Sequence, residues 1–478
     1  MQSVKSALSL FCYRLLIFFL MPLVILILLV RSRTQKQYRQ RLTERLGFYP
    51  QVFKKHGIVV HAASVGEVLA LKPFIEQLIE QHPNTPITVT TFTPTGSAQV
   101  IKSFDKRVQH CYLPLDFYGS NALFLTALAP QLMVFMETEI WPSLLAQAQQ
   151  RDVKLLLVNG RLSGKSIGSY QKLTWLITPA LNRFNAILAQ SEQSLTRFGQ
   201  LGAPLDRLTL SGNVKYDLAL NESVSNKITE LEMLLPKDRL VWVVASTHQG
   251  DEAIALAAFE QVLIKQPSAL LVMVPRHPER FVTVRELSTK FGYSVQMRST
   301  ASPVQSNTQV WLLDTLGELL AMYALADVVT MGGSFSDIGG HNPLEPALFE
   351  KPIIVGPRMD NFKEISQQLV AEKAMVSLTA TDTNNDHMEP HKASGKTYLS
   401  QQLAEQVLVL CSNDSPIADG NNELTDSALN NASLATPSNL TNQAAANLGK
   451  NAYQVVLANR GATQLSLEKV AQLLQVGE

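Results

Sequence analysis

The chain lacks paired cysteines: Cys12, Cys111 and Cys411 lie far apart and form no CxxC motif. That excludes a disulfide framework or a cysteine zinc site and suits a reducing compartment. It also lacks charge of one sign. The formal net charge is +1, so no global field favours nucleic acid, and charge must be read locally. His61, His248, His277 and His341 are scattered without metal-ligand spacing, and no metal is assigned. No GxxxxGK[ST] occurs, which argues against a P-loop hydrolase. No GxGxxG follows the first predicted strand, which weakens a dehydrogenase reading. A small-residue cleavage site is missing after the N-terminal apolar run, where Arg31, Ser32 and Arg33 stand instead.

What is present is size. A chain of 478 residues exceeds what one hydrophobic core organises, so two domains are expected. Residues 15–30 are continuously apolar, and residues 7–13 extend the run across Arg14. A spanning helix needs roughly 20 apolar residues, so the segment suffices once Arg14 snorkels to the interface. Arg31, Arg33, Lys36, Arg39 and Arg41 follow, with no acid before Glu44. Positive flanks stay cytoplasmic, which places everything after residue 31 inside the cell. The expectation is a single-pass anchor over residues 1–31 rather than a cleaved signal. A helix lying flat in the interface is the weaker alternative, because the stretch has no polar face of its own.

From residue 57, short β-rich runs alternate with amphipathic segments. Strands are predicted at 58–61, 87–91, 108–113, 132–136, 154–158 and 186–189, with helices such as 68–81 and 142–150 between them. The rhythm restarts near residue 240, with strands at 240–245, 270–274, 310–312, 328–331 and 353–355 and a helix over 251–265. This alternation means α/β units whose parallel sheets are covered on both faces. Residues 213–237, with Pro236, read as the junction. The expected domains are therefore 32–220 and 221–478, with the default ligand site in a cleft between them. Residues 379–396 and 412–450 are rich in Asn, Ser, Thr and Ala and read as low-complexity insertions around a helix near 397–410. A closing helix over 464–475 is expected to pack back on the sheets.

The chemistry-bearing motifs fall at predicted strand ends, where ligands bind in this architecture. HAASVGE (61–67) places Glu67 at a helix start after the first strand. A carboxylate there can take a proton from a hydroxyl, or simply favour the helix dipole for about 0.3–1 kcal/mol. FMETEIWP (135–142) offers Glu137 and Glu139; Glu137, nearer the strand, is the one expected to face the ligand. That carboxylate could hold a catalytic geometry, bind an acceptor hydroxyl or cap the helix. SGNVKYD (211–217) supplies Lys215, a cation able to balance phosphate charge or a plain surface lysine.

The second half is denser. STHQGDE (246–252) leads into a helix. VPRHPER (274–280) places Arg276 at the sheet edge, where a guanidinium can pair with phosphate. DTLGEL (314–319) puts Gly317 before a helix, and MGGSFSDIGGHNPLEPA (331–347) carries two glycine pairs and then Glu345, able to bind ribose hydroxyls. Turns use glycine anyway, but four ligand-type loops on successive strand ends of one domain point to a nucleotide.

As an ordered set these motifs resemble the 3-deoxy-D-manno-octulosonic acid (Kdo) transferases. The resemblance runs from the apolar segment through HAASVGE, METEIWP, GNVKYD, STHQGDE, VPRHPER, GGSF and GGHNPLEPA. It implies a GT-B glycosyltransferase with two Rossmann-like domains facing a cleft. It also implies transfer of Kdo from CMP-Kdo to lipid IVA, an inner-core step of lipopolysaccharide synthesis at the inner membrane, with no cofactor. By position, Glu67 matches the family's catalytic base, and Glu137 and Lys215 match positions that stabilise the reacting state. CMP binding maps to Pro275 and Arg276, to Leu316, Gly317 and Glu318, and to Asn342, Pro343, Leu344 and Glu345. The polar insertion beyond Thr379 departs from the pattern and leaves the C-terminal boundary open. A GT-B transferase using a UDP-sugar, or a tethered nucleotide-binding protein without turnover, are the rival readings.

Overall fold

The computed structural model describes residues 2–34, 37, 39–217, 222–379, 393–411 and 440–475. The chain divides into two compact units, Met1–Asp217 with Asn459–Glu478, and Leu218–Ala458.

The first unit opens with helix α1 (Gln2–Thr34), which contains the apolar run and Pro22. Seven strands follow: β1 (Ile58–His61), β2 (Ile87–Thr91), β3 (Gln109–Tyr112), β4 (Leu132–Met136), β5 (Lys154–Gly160), β6 (Ala186–Ala189) and β7 (Leu208–Leu210). Between them run α2 (Val65–Ala70), α3 (Lys72–Gln81), α4 (Pro94–Phe104), α5 (Tyr118–Leu128), α6 (Pro142–Gln149), α7 (Gly164–Gln171), α8 (Thr174–Leu181) and α9 (Glu192–Gln200). All pairings are parallel, in the order β3-β2-β1-β4-β5-β6-β7. β1, β2, β4 and β6 are buried on both faces, as β-branched and leucine-rich runs covered by helices must be. One core layer gathers Phe124, Leu145, Leu157 and Phe184; the opposite layer gathers Phe74, Leu78, Val134 and Leu156. The order reverses between β1 and β4, and that is the switch point at which doubly wound sheets open a crevice.

The second unit starts with α10 (Glu222–Glu232) and repeats the scheme. Its strands are β8 (Val241–Thr247), β9 (Leu270–Pro275), β10 (Val295–Met297), β11 (Val310–Leu312), β12 (Val328–Met331), β13 (Ile353–Val355) and β14 (Val376–Ser377), in the order β10-β11-β9-β8-β12-β13-β14. The covering helices are α11 (Asp251–Lys265), α12 (Phe281–Lys290), α13 (Leu319–Ala324), α14 (Leu344–Ala347), α15 (Lys363–Ala371), α16 (Ala393–Cys411) and α17 (Leu440–Ala458). Here the switch point lies between β8 and β12.

Three expectations need correction. The helix expected over 68–81 is two, α2 and α3, with Pro73 in the first turn of the second. The low-complexity stretches are shorter than composition suggests. Residues 393–396 begin α16 and residues 440–450 lie in α17, while 380–392 and 412–439 fall outside the described residues. The second domain does not run to the chain end. The last helix, α18 (Ala462–Gln475), belongs to the first unit, where Leu467 and Val470 enter the core layer of β1 and β4. Asp217 fixes the return: its carboxylate accepts from the N–H of Gly461 at 2.7 Å and of Thr463 at 2.5 Å.

Candidate active site

In the first unit, HAASVGE and METEIWP leave adjacent strands at the switch point. Ser64 and Glu67 form a variant of the capping box on α2: the Glu67 N–H reaches Ser64 Oγ at 3.4 Å, and Ser64 Oγ donates to Glu67 Oε1 at 2.8 Å. Glu67 Oε2 accepts from the Ala63 N–H at 2.8 Å. Burial raises the Glu67 carboxyl above its ordinary range. The hydrogen bonds from Ser64 and Ala63 oppose the shift, and the charges of Glu137 and Glu139 add to it. A capping box alone explains a glutamate at this spacing. It does not explain two further carboxylates within electrostatic reach.

Those carboxylates come from the end of β4. Glu137 sits at φ 58, in the left-handed region, and its N–H donates to Val158 O at 3.0 Å. Asn159, at the end of neighbouring β5, is left-handed as well, with φ 52. Such residues cost roughly 1–2 kcal/mol apiece and persist where surrounding structure fixes them. Glu139 accepts from the Trp141 indole at 2.7 Å and lies 3.5 Å from His61 Nε2. Burial would push the Glu139 carboxyl up, but His61 and Trp141 outweigh it and hold it below its ordinary range. Lys215 lies in a short 3-10 turn, Val214–Tyr216, after β7. That turn is tied to the end of β5, because the Val214 N–H donates to Asn159 Oδ1 at 3.1 Å. Hydrogen bonds to consecutive residues, Val158 and Asn159, thus anchor the Glu137 and Lys215 segments to the same strand end.

In the second unit, Asp251 at the start of α11 organises the switch point. Its Oδ2 accepts from the Gly333 N–H at 2.7 Å and the His248 N–H at 2.8 Å. Burial lifts this carboxyl to about 6. Gly332 crosses the end of β8 so closely that a Cβ would stand 2.6 Å from Ser246 O, which requires glycine there. His248 and His341 meet Nε2 to Nε2 at 2.8 Å, so one ring donates and the other accepts. Burial, the His248 ring and Arg276 push His341 down to about 4. His248, Gly250, Arg280, Phe335, Ser336 and Asp337 line a cavity of about 460 Å³.

The nucleotide-loop residues are placed unevenly. Pro275 ends β9 and Arg276 follows it, exposed, its N–H held by Thr247 O at 3.0 Å. Leu316 is exposed, and Gly317, at φ 85, borders open space. Glu318 turns inward: its carboxylate pairs with Arg298 at 2.9 Å, lies 3.5 Å from Lys227 and accepts from Thr315. Of this residue only the backbone is left for a ligand. Asn342 Oδ1 accepts from the Leu344 N–H at 3.2 Å, so the first turn of four-residue α14 is capped by the chain itself. Glu345 stands in that turn, and burial raises its carboxyl to about 7 against the lowering influence of Asn342 and Arg276.

Residues 40–218 match the family model of 3-deoxy-D-manno-octulosonic-acid transferase, or kdotransferase. The 3-deoxy-D-manno-octulosonic acid transferase of Haemophilus influenzae is 41% identical over 78% of this chain and 87% of its own length. That of Bordetella pertussis is 34% identical over 66% of this chain and 74% of its own. The chain belongs to the Kdo transferase family. Among solved structures, the C-terminal CMP-Kdo binding domain of WaaA from Acinetobacter baumannii is 29% identical, covering 39% of this chain and 99% of that one, with a TM-score of 0.32.

As a Kdo transferase the protein is a glycosyltransferase, and its two Rossmann-like units behind one apolar helix have the GT-B plan. Sequence reasoning named Glu139 only as the carboxylate less expected to face the ligand and His61 only as a histidine without metal-ligand spacing, and did not pair them, although both lie inside the motifs that carry the resemblance. Their signal was an unpaired histidine closing β1 and a second glutamate two residues after Glu137. Neither identifies a partner until β1 and β4 are known to be neighbours.

Proposed function

We propose that this Kdo transferase moves Kdo from CMP-Kdo to lipid IVA, with inversion, at the cytoplasmic face of the inner membrane during lipopolysaccharide inner-core synthesis. Glu67 takes the proton from the acceptor hydroxyl as that oxygen bonds to the anomeric carbon. The bond from that carbon to the CMP phosphate oxygen breaks, and the electron pair leaves with CMP. The observation that carries the reading is the Glu67 carboxyl, raised by burial and placed at the switch point beside Glu137 and Glu139. A general base works best with its pKa brought toward the operating pH, and burial moves Glu67 that way. Glu137 and Lys215 balance charge as the sugar–phosphate bond opens. Arg276 faces the phosphate, Glu345 and Asn342 the ribose, and the chain at Pro275, Leu316, Gly317, Glu318, Pro343 and Leu344 shapes the CMP pocket. The apolar helix, followed by Arg31 and Arg33, attaches the enzyme to its lipid acceptor.

The test is incubation of purified full-length protein with CMP-Kdo and lipid IVA. CMP release with lipid mass rising in whole Kdo increments is expected, and the number of increments gives the number of sugars added. Turnover with a UDP-sugar and none with CMP-Kdo would overturn the donor assignment. Binding of CMP without any transfer would overturn the catalytic one.

A further inference from the structure

Among its described side chains, the apolar helix α1 is covered along one side from Leu10 to Ser32. Leu10, Tyr13, Ile17, Met21, Leu28 and Ser32 are buried or half-buried, at helical spacings of three, four and seven residues. From Leu10 to Ser32 that stripe runs about 33 Å at the α-helical rise. α1 packs on α8 and α6 of the first unit. Two of its polar residues find partners on that unit. Tyr13 Oη donates to Asp116 Oδ2 at 2.9 Å, and Arg14 Nε donates to Ser143 Oγ at 3.1 Å. The Arg14 guanidinium also lies over the Tyr118 ring, 4.6 Å from its centre. Asp116 is itself buried and accepts from the N–H groups of Ser143 at 2.9 Å and Leu144 at 2.8 Å, so the Tyr13 contact reaches a fixed point of the fold.

The other side of α1 is apolar and open. Phe11, Phe19, Leu23, Leu26 and Val30 project outward, Phe19 at 69% exposure. Trp175 on α8 is exposed beside this apolar surface, and an indole suits the boundary between headgroups and acyl chains. Arg31 and Arg33 at the helix end are exposed, and each cation near an anionic surface contributes about 1 kcal/mol.

A helix that crosses a bilayer is ringed by acyl chains over roughly 30 Å, about the length of the covered stripe. A water-soluble body cannot accompany it through that layer. We infer that α1 does not cross the membrane. It lies lengthwise on the first unit, in the plane of one leaflet, with its outer face in the acyl chains of an anionic bilayer. The missing polar face of the isolated sequence is supplied by the body that covers it. Arg14, which would have to snorkel to the interface of a spanning helix, is held by Ser143 and Tyr118 instead. The acceptor unit is thereby laid against the leaflet along the helix from Leu10 to Ser32, rather than hung from a stalk.

This inference rests on the proposed membrane attachment, and the experiment separates the two. Full-length protein carries an uncharged epitope at each end, and intact spheroplasts are treated with an impermeant protease. Both epitopes are expected to survive until the membrane is permeabilised, with the protein sedimenting with membranes throughout. Loss of the N-terminal epitope alone from intact spheroplasts would show a crossing helix and overturn the inference while leaving the attachment standing. Recovery of the chain in the soluble fraction would overturn both. A photo-cross-linker at Phe19 should give several-fold more lipid adduct than one at Ile17, which should capture protein; equal lipid capture from both sites also sinks the in-plane arrangement.

Discussion

The Glu139 carboxylate, bonded to the Trp141 indole at 2.7 Å, lies 3.5 Å from His61 Nε2 and so links the end of β4 to the end of β1. The His61 ring is fixed on its other side, where Nδ1 meets Thr90 Oγ1 on β2 at 3.0 Å. A carboxylate within electrostatic reach of Glu67 is thus tied to the ends of both strands. The role proposed for Glu67 can be tested apart from that of its neighbours.

Glu67→Gln keeps the size and one of the two accepted hydrogen bonds but removes the base. Loss of kcat by roughly 10²–10⁴-fold is expected, with CMP affinity unchanged in a direct binding titration. Near-normal turnover would remove Glu67 from the mechanism.

Replacing Glu137 or Glu139 by Gln takes away a charge that helps to raise the Glu67 carboxyl. Its pKa then falls, and the acid limb of the kcat/KM profile moves to lower pH. An unmoved limb in both variants means that Glu67 is not the group being titrated.

The Glu345 carboxyl, raised to about 7, would accept from a ribose more strongly when ionised than when protonated. A group with a raised pKa holds its proton below that value, so nucleotide binding should weaken as pH falls through about 7. Glu345→Gln should flatten this component, and the difference between the two proteins separates it from titration of the nucleotide phosphate. Identical pH profiles would dismiss Glu345 as a ligand contact.

Arg298 and Glu318 are both nearly buried, with side chains 7% and 4% exposed. Arg298→Ala leaves the Glu318 carboxylate only the longer Lys227 contact and the Thr315 hydroxyl, and should cost about 3 kcal/mol in chemical denaturation. The double variant Arg298→Met, Glu318→Leu should recover most of that loss. A single variant as stable as the wild type would show that the pair does not hold the 314–318 loop.

The central strands were legible in sequence because both faces are buried: Val59, Val134, Val243 and Val329 lie in runs with no polar alternation. Three edge strands were not. β7, β10 and β14 are two or three residues long and at least half-open, so neither length nor apolar pattern marks them. The helix α17 escaped notice for a related reason: its Asn- and Ala-rich start has the composition of a linker, and only packing against α14 and α16 selects a helix.

Sequence alone determined the two repeats of strand and helix, the loops at their strand ends, the apolar first helix and the family. Each is written in local patterns that depend on a residue's near neighbours. Tertiary structure decided what crosses the chain: α18 closing the first unit, Glu318 turned onto Arg298, and Glu139 set beside His61. It also decided that α1 is covered along one side. Those contacts join residues tens or hundreds of positions apart, and their energies come from burial and pairing that exist only once parallel strands have chosen their neighbours.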